Sequence, residues 1–340
     1  MTMDFPRVSI CIVNYNGRKY LHDCFESIYR MDYPKEKIEV ILADNASMDG
    51  SVDFVKDNYP EVRILILEKN YGFAKANNLC AEIANGEYLV FLNNDTVVMP
   101  NWIRNLVALL SLDDSVGVVG SKLMLMGQSG KINSAGGNII FSGGGYDIGF
   151  LDNDSEGYNS SAYRGYVCGA SMMVRRNEFI DIGMFDEDYF MYCEDVGLCW
   201  RYWLFGKKVM YIPESVVYHK FGGTSGRDRN NPLRVYHGTK NAVFNMIKNY
   251  ELSNLVLYFS LFFIYNIMQF IWFVVRLKYR DAAALIKAYY MIVAKLPATL
   301  KKREGIQRRR KMDDRYLFKA GVIEYPLKTL KEVVRLWSAK

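Results

Sequence analysis

The chain has 340 residues, half of them hydrophobic and 14% aromatic, enough to bury one large α/β domain with an appendage and too apolar for wholesale disorder. Its net charge of +6 is uneven: residues 276–340 carry 18 Lys/Arg against 6 Asp/Glu, and residues 1–275 carry 25 against 31. An acidic body excludes a general nucleic-acid binder, whose basic surface lies on the folded domain, and the basic end fits an anionic membrane surface better.

The start of the chain lacks a basic region followed by a long apolar run, so no cleaved secretory signal is expected. Six cysteines without a C-x-x-C pair read as reduced, buried thiols of a cytosolic protein. "VSICIV" (8–13) predicts a buried strand, and apolar residues at helical spacing follow up to Ile28. Strands are then predicted at 38–44, 62–67 and 88–92, separated by helices at 50–58 and 74–84. Such alternation implies βαβ units and a parallel sheet covered on both faces. Ligands of these sheets bind beyond the carboxyl ends of the strands. The polar clusters "NYNG", "DNASMDGS", "EKNYGFA" and "NNDT" fall there, which suits a nucleotide-sized site. Each cluster taken singly is also ordinary turn material.

The glycine-rich stretch 131–165 neither follows the first strand nor opens a helix, so it is not a dinucleotide fingerprint. It predicts a loop with hairpin-like pieces. A strand-like segment (165–176), a loop crowded with acids and aromatics, and a helix over about 195–205 follow. "KVMYI" and "SVVYH" predict two short strands, the second ending at His219. Residues 255–275 are free of charge for 21 residues, about 31 Å of helix and enough to cross a hydrocarbon core. Residues 282–296 are amphipathic, and "KKREGIQRRRK" comes next. A cytoplasmic body with one clean span would put the basic tail outside, against the positive-inside rule. An in-plane or re-entrant segment at the cytoplasmic face of the cell membrane is therefore favoured over a true span. The predicted division is 1–250 catalytic domain, 251–298 membrane-associated helices and 299–340 basic tail.

A diphosphate at the strand ends calls for Mg²⁺ or Mn²⁺ held by one or two carboxylates. Asp95 is the obvious ligand, Asn93 shares its side of an extended chain, and Asn94 faces the other way, toward a ribose. The competing reading of "NNDT" is an Asx-turn leading into a helix at Asn101.

The ordered set "VSICIVNYNG … LADNASMDGS … EKNYGFAKANN … FLNNDT … CGASMMVRR … FDEDYFMYCEDVGLCWR … VVYHKFGGTSG" resembles the family 2 glycosyltransferases, on the rhamnosyltransferase-like branch of surface-polysaccharide enzymes, over roughly residues 5–250. The resemblance implies a GT-A fold, Rossmann-like and mostly parallel, with a C-terminal helical appendage. It implies a dTDP-, UDP- or GDP-linked sugar donor, a divalent metal, a lipid-linked or glycan acceptor, and inversion at the anomeric carbon. Asp44 resembles the acid that contacts the nucleobase, and Asn14, Asn70, Gly72 and Phe73 would line the nucleotide. Asp95 matches the second acid of the D-x-D metal motif, and His219 the histidine that completes it. Asp195 matches the catalytic base, with Glu194 beside it; Arg201 would orient that acid or a phosphate. Asp195 at a helix start is expected to keep a low pKa. Asn93 stands where the motif has its first aspartate, so weaker metal binding is expected. Inversion by direct displacement needs one base and no covalent nucleophile. Two other readings remain: a nucleotide-sugar-binding module without transfer activity, and a sugar nucleotidyltransferase.

Overall fold

The computed structural model describes residues 5–220 and 231–330. Residues 221–226 of the seventh motif and 331–340 of the basic end lie outside the described residues.

The first half follows the predicted alternation: β1 (Val8–Asn14), α1 (Arg18–Tyr29), β2 (Ile38–Asp44), α2 (Ser51–Asn58), β3 (Arg63–Ile66), α3 (Gly72–Ile83), β4 (Tyr88–Asn93), β5 (Thr96–Val98) and α4 (Trp102–Leu112). β3, β2, β1 and β4 pair in that order and all in parallel. Alternate residues serve two layers. Val8, Ile10 and Ile12 meet α1 and α4 through Leu21, Phe25, Trp102 and Leu106, while Cys11 and Phe91 face α3. Burial on both faces is why these strands read as continuous apolar runs. The register sets Asn14 opposite Asp44 and Val13 opposite Asn93, so the carboxyl ends finish side by side.

The second half departs from the mostly parallel expectation. β6 (Val116–Leu125), β7 (Ile132–Ser134), β8 (Gly137–Ile140), β9 (Gly145–Asp147), β10 (Ala162–Tyr163) and β11 (Ser171–Arg175) lead to α5 (Arg176–Asp181), α6 (Glu194–Leu204) and β12 (Lys208–His219). β11 enters between β4 and β6 antiparallel to both, so the ten-stranded sheet is mixed. The two short strands predicted at 208–219 are one strand, β12, whose register against β6 shifts between Ile212 and Val216. Pro213 lies in that interval and has no N–H to give the ladder, which accounts for the break. The end of β12 pairs with β5, setting His219 opposite Thr96.

Beyond α7 (Pro232–Asn249) come α8 (Leu252–Val275), α9 (Tyr279–Ala294), α10 (Leu296–Arg309), α11 (Asp314–Lys319) and β13 (Ile323–Glu324). α8 is 24 residues long, about 36 Å, and long and apolar enough to cross a membrane. It buries one stripe: Leu255, Phe259 and Phe262 pack with Val243, Phe244 and Ile247 of α7 and Ile292 of α9. Most of the remaining circumference, including Val256, Ile264, Met268, Ile271 and Trp272, is exposed. α9 runs along α7, with Lys287 Nζ 5.1 Å from the Tyr236 ring and Ile292 against Val243–Ile247 farther on. The chain thus leaves the body in α8 and comes back to it in α9.

Residues 299–330 are not a free basic tail. Arg303 donates to the carbonyls of Ile247 (2.5 Å) and Tyr250 (2.7 Å), and Gln307 to those of Lys248 (2.9 Å) and Asn249 (3.2 Å). These are the orphan carbonyls at the end of α7, and α10 caps them. Arg310 pairs with buried Asp314 inside the protein, and Arg309 with Asp181 at its surface, so both basic groups are bound to the body. β13 pairs with β8, and Glu324 accepts from Asn138 and Tyr146 (2.7 Å each), so the glycine-rich stretch is pinned by the end of the chain.

Candidate active site

Three of the predicted metal residues meet. His219 Nε2 lies 3.3 Å from Asp95 Oδ1 and 3.3 Å from the Asn93 amide nitrogen. Pairing of β5 with β12 brings this about, because it seats the last residue of β12 beside the residue after Asp95. His219 Nδ1 is 2.6 Å from Asn133 Oδ1, to which it donates; the Nε2 lone pair is then left toward Asp95. Such a partner on the far nitrogen orients a metal-binding imidazole. The set fits a hard divalent cation: one carboxylate, one imidazole lone pair and one amide that presents its oxygen when turned over. It is poor in charge, and among the described residues no three of His, Cys, Asp and Glu form a metal group. Asn133, in the glycine-rich stretch, carries no sequence signal that ties it to His219.

The nucleotide residues form a buried relay along the strand ends. Asn94 Nδ2 donates to Asn14 Oδ1 (2.7 Å), and Asn14 Nδ2 to Asp44 Oδ1 (2.9 Å). Asp44 Oδ2 accepts from the Ser47 N–H (2.8 Å), and Asn14 Nδ2 also reaches Ser47 Oγ (3.0 Å). Asn94 is therefore turned inward to Asn14 rather than outward to solvent, and Asp44 is buried. Gly17 makes room, since a Cβ there would stand 2.1 Å from Asn94 Nδ2. Asn70 Oδ1 accepts from the Gly72 N–H (2.9 Å), and Asn45 holds the same turn through Gly72 O (3.2 Å) and Tyr71 N (3.1 Å). Gly72 has φ +81°, and a Cβ would meet Phe190 O at 2.2 Å, so only glycine fits. Phe73 packs edge-on against Phe185, and its N–H donates to Phe190 O (2.9 Å). Asn45 and Ser47 sit inside the "DNASMDGS" cluster, but their particular bonds could not be read from it.

Glu194 and Asp195 open α6. Asp195 Oδ2 accepts from the Gly169 N–H (3.1 Å) and Oδ1 from the Val196 N–H (2.7 Å). Burial nevertheless pushes Asp195 up to about 6, the two N–H groups pulling the other way and nearby Asp147 adding to the rise. The expected low pKa is thus corrected: desolvation outweighs the helix terminus. Burial, then the charge of Asp195, raises Glu194 farther, and Glu194 Oε2 is buried with no hydrogen-bond partner among the described residues. The turn 168–170 joins the two halves of the site: Gly169 binds Asp195, and Ala170 O accepts from the Asn93 N–H (3.1 Å).

Arg201 does not join this group. Its guanidinium is buried and donates to the carbonyls of Ile182 (3.1 Å), Gly183 (3.2 Å) and Met184, which clamps the turn after α5. Six residues after Asp195, it leaves α6 about 120° round the helix from it. The acids of "FDEDYF" are also taken: Asp186 by Lys248 (2.6 Å) and Lys302 (2.5 Å), Asp188 by Lys302 (2.6 Å) and Lys295 (3.4 Å).

The model of the family "Glycosyl transferase family 2" matches residues 9–177. The chain belongs to that family and is a glycosyltransferase. It is 27% identical over 226 residues to an N-acetylglucosaminyl-diphospho-decaprenol L-rhamnosyltransferase of Mycobacterium tuberculosis, covering 59% of this chain and 72% of the relative. Among solved structures, GalNAc-T7 with UDP, GalNAc and Mn²⁺ matches at a TM-score of 0.59 and 19% identity, over 72% of this chain and 48% of that one. The mannosyltransferase PcManGT of Pyrobaculum calidifontis, with GDP-Man and Mn²⁺, matches at 0.55 and 16% identity, over 86% and 88%. The fold of this glycosyltransferase is GT-A, with a mixed sheet flanked by helices and a helical C-terminal appendage.

Proposed function

We propose that this glycosyltransferase moves a sugar from a nucleoside diphosphate donor to a hydroxyl of a lipid-linked or polysaccharide acceptor, with inversion and with Asp195 as the base. The turn 168–170 is the observation that carries the reading. It seats the Asp195 carboxylate against the strand ends where Asn93, Asp95 and His219 converge. The Asp195 carboxylate takes the acceptor's hydroxyl proton while that oxygen attacks the anomeric carbon. The bond from this carbon to the diphosphate breaks with its electron pair going to the phosphate oxygen. Asp195, raised toward 6, stays ionised at neutral pH and remains basic enough to accept a proton. Mg²⁺ or Mn²⁺ held by Asp95, His219 and the Asn93 amide would neutralise the diphosphate. The Asn94–Asn14–Asp44 relay would form the floor under the nucleoside.

The exposed α8 and the outer side of α9 would lie in the cytoplasmic face of the cell membrane. Two contacts support an in-plane seat over a single span. Glu251 N donates to Asp314 Oδ2 (2.8 Å) and Asp314 N to Glu251 Oε2 (3.1 Å), which keeps the basic segment on the same side as the body.

A panel of dTDP-, UDP- and GDP-sugars with Mn²⁺ or Mg²⁺ tests the reading. One donor should be turned over, EDTA should stop it, and Asp195→Asn should abolish transfer while leaving donor binding intact. Transfer retained by Asp195→Asn removes Asp195 as base.

A further inference from the structure

We propose that Asn245 of α7 is a positioning residue for the catalytic pair; this rests on the reading of Asp195 as the base. Tyr192 and Cys193, directly before Glu194, hold left-handed backbone at φ 68° and 64°. Non-glycine residues in this region are strained and persist only where their surroundings over-determine them. Two asparagines supply that surrounding. Asn241 Nδ2 donates to the carbonyls of Met191 (2.9 Å) and Tyr192 (2.7 Å). Asn245, one helical turn on, donates to Cys193 O (3.2 Å) and to Gly143 O (3.0 Å), and its Oδ1 accepts from Tyr189 OH (2.9 Å). Three successive carbonyls ahead of the catalytic pair are thus held by one face of one helix.

Cys193 O is also the acceptor of the Gly197 N–H (2.9 Å), the opening bond of α6. Asn245 therefore fixes the carbonyl from which the helix bearing Asp195 begins. Gly197 permits the approach, since a Cβ there would come within 2.4 Å of Asn245 Oδ1. Asn245 itself is wholly buried and every amide atom is used, so an apolar residue of similar size would fill the space but leave the turn unheld. On its other side the Asp195 carboxylate is fixed by the Gly169 N–H. Asn245 sets one end of this seat and touches no reacting atom.

The test measures transfer by the full-length protein against pH, with whichever nucleotide sugar the panel identifies, for the wild type, Asp195→Asn, Asn245→Ala and Tyr189→Phe. A base misplaced by about 1 Å loses about 100-fold in rate. Asn245→Ala should therefore lower kcat by about 10- to 100-fold with the donor KM within about twofold. Its acid limb should also move toward the ordinary carboxylate value, because a slack turn lets water reach Asp195. The groups facing Asp195 that share this field are Glu194 and Cys199 on its own helix, Cys193 just before it, Asp147 of β9, and Tyr166 and Cys168 of the segment before β11. An unchanged kcat and acid limb, with only a lower melting temperature, overturns the proposal. Should Asn245→Ala not fold, Tyr189→Phe decides: it removes one hydroxyl from Asn245 Oδ1, and an unmoved acid limb counts against the proposal. Transfer by Asp195→Asn strikes instead at the choice of base.

Discussion

Lys248→Met removes one partner of a buried charge and keeps most of the side-chain volume. Lys248 and Asp186 meet at 2.6 Å with side chains only 5% and 11% exposed. Burial pushes the Asp186 carboxyl up, but Lys248 and Lys302 outweigh it and hold it well below the usual range. Burial also pulls the Lys248 ammonium down to about 8 in spite of Asp186, a cost that Lys248→Met relieves and that draws the net loss downward. Leaving a buried charge without its partner costs about 3–5 kcal/mol. Lys302 still reaches Asp186 in the variant, but its side chain is 40% exposed and its field is screened. The expected loss is therefore at the lower end, about 3 kcal/mol, or about 6 °C in melting temperature for a domain of this size. The sign against pH follows from the depressed carboxyl. Its stabilisation is present above the unfolded value of about 3.9 and is lost as pH falls through and below that value. Thermal unfolding in detergent at pH 7 and near pH 2.5 measures both effects, and the gap to wild type should narrow at the lower pH. A loss under about 1 kcal/mol at pH 7 would mean that the pair behaves as an exposed one, and the reasoning would fail.

Two further outcomes are expected. The rate of transfer should fall on the acid side with a midpoint near pH 6, because Asp195 must be ionised and burial has raised it to about 6; a flat profile down to pH 4.5 contradicts this. Val256→Glu, Ile264→Glu and Ile271→Glu together place charges on side chains that are 60%, 54% and 56% exposed, so the fold should survive. Each charge costs about 3 kcal/mol deep in a bilayer, so the triple variant should leave sedimenting vesicles, and continued co-sedimentation sinks the membrane seat.

The clasp between Lys302 and the acidic loop also alters what a truncation means. Removing residues 252–340 would strip Leu255, Phe259, Phe262 and Ile292 from Val243, Phe244 and Ile247 and leave the carbonyls at the end of α7 uncapped. Such a chain should lose stability rather than merely become soluble. Surface substitution on α8 is therefore the cleaner test of membrane association.

Much of the fold was legible in the sequence because its signals are local. Continuous apolar runs at 8–13, 38–44 and 88–92 mark strands buried on both faces, and the Asn, Asp and Gly clusters after them mark the carboxyl edge. Seven motifs in order named the family, and the charge-free run named the exposed helix. What tertiary structure alone decided is how polar side chains far apart in the chain share their hydrogen bonds. Asn133 reaches His219 across 86 residues, and Lys302 reaches Asp186 across 116, with nothing periodic in between. The family resemblance assigns Arg201 to orienting Asp195 or a phosphate; burial among the carbonyls of 182–184 made it a clamp. The helix start predicts a low pKa for Asp195, and the loss of water around it decided otherwise. Sequence determines which groups are present and on which face of their own element they lie. Desolvation and partner choice depend on what packs against that face, and only the assembled sheet and helices supply that.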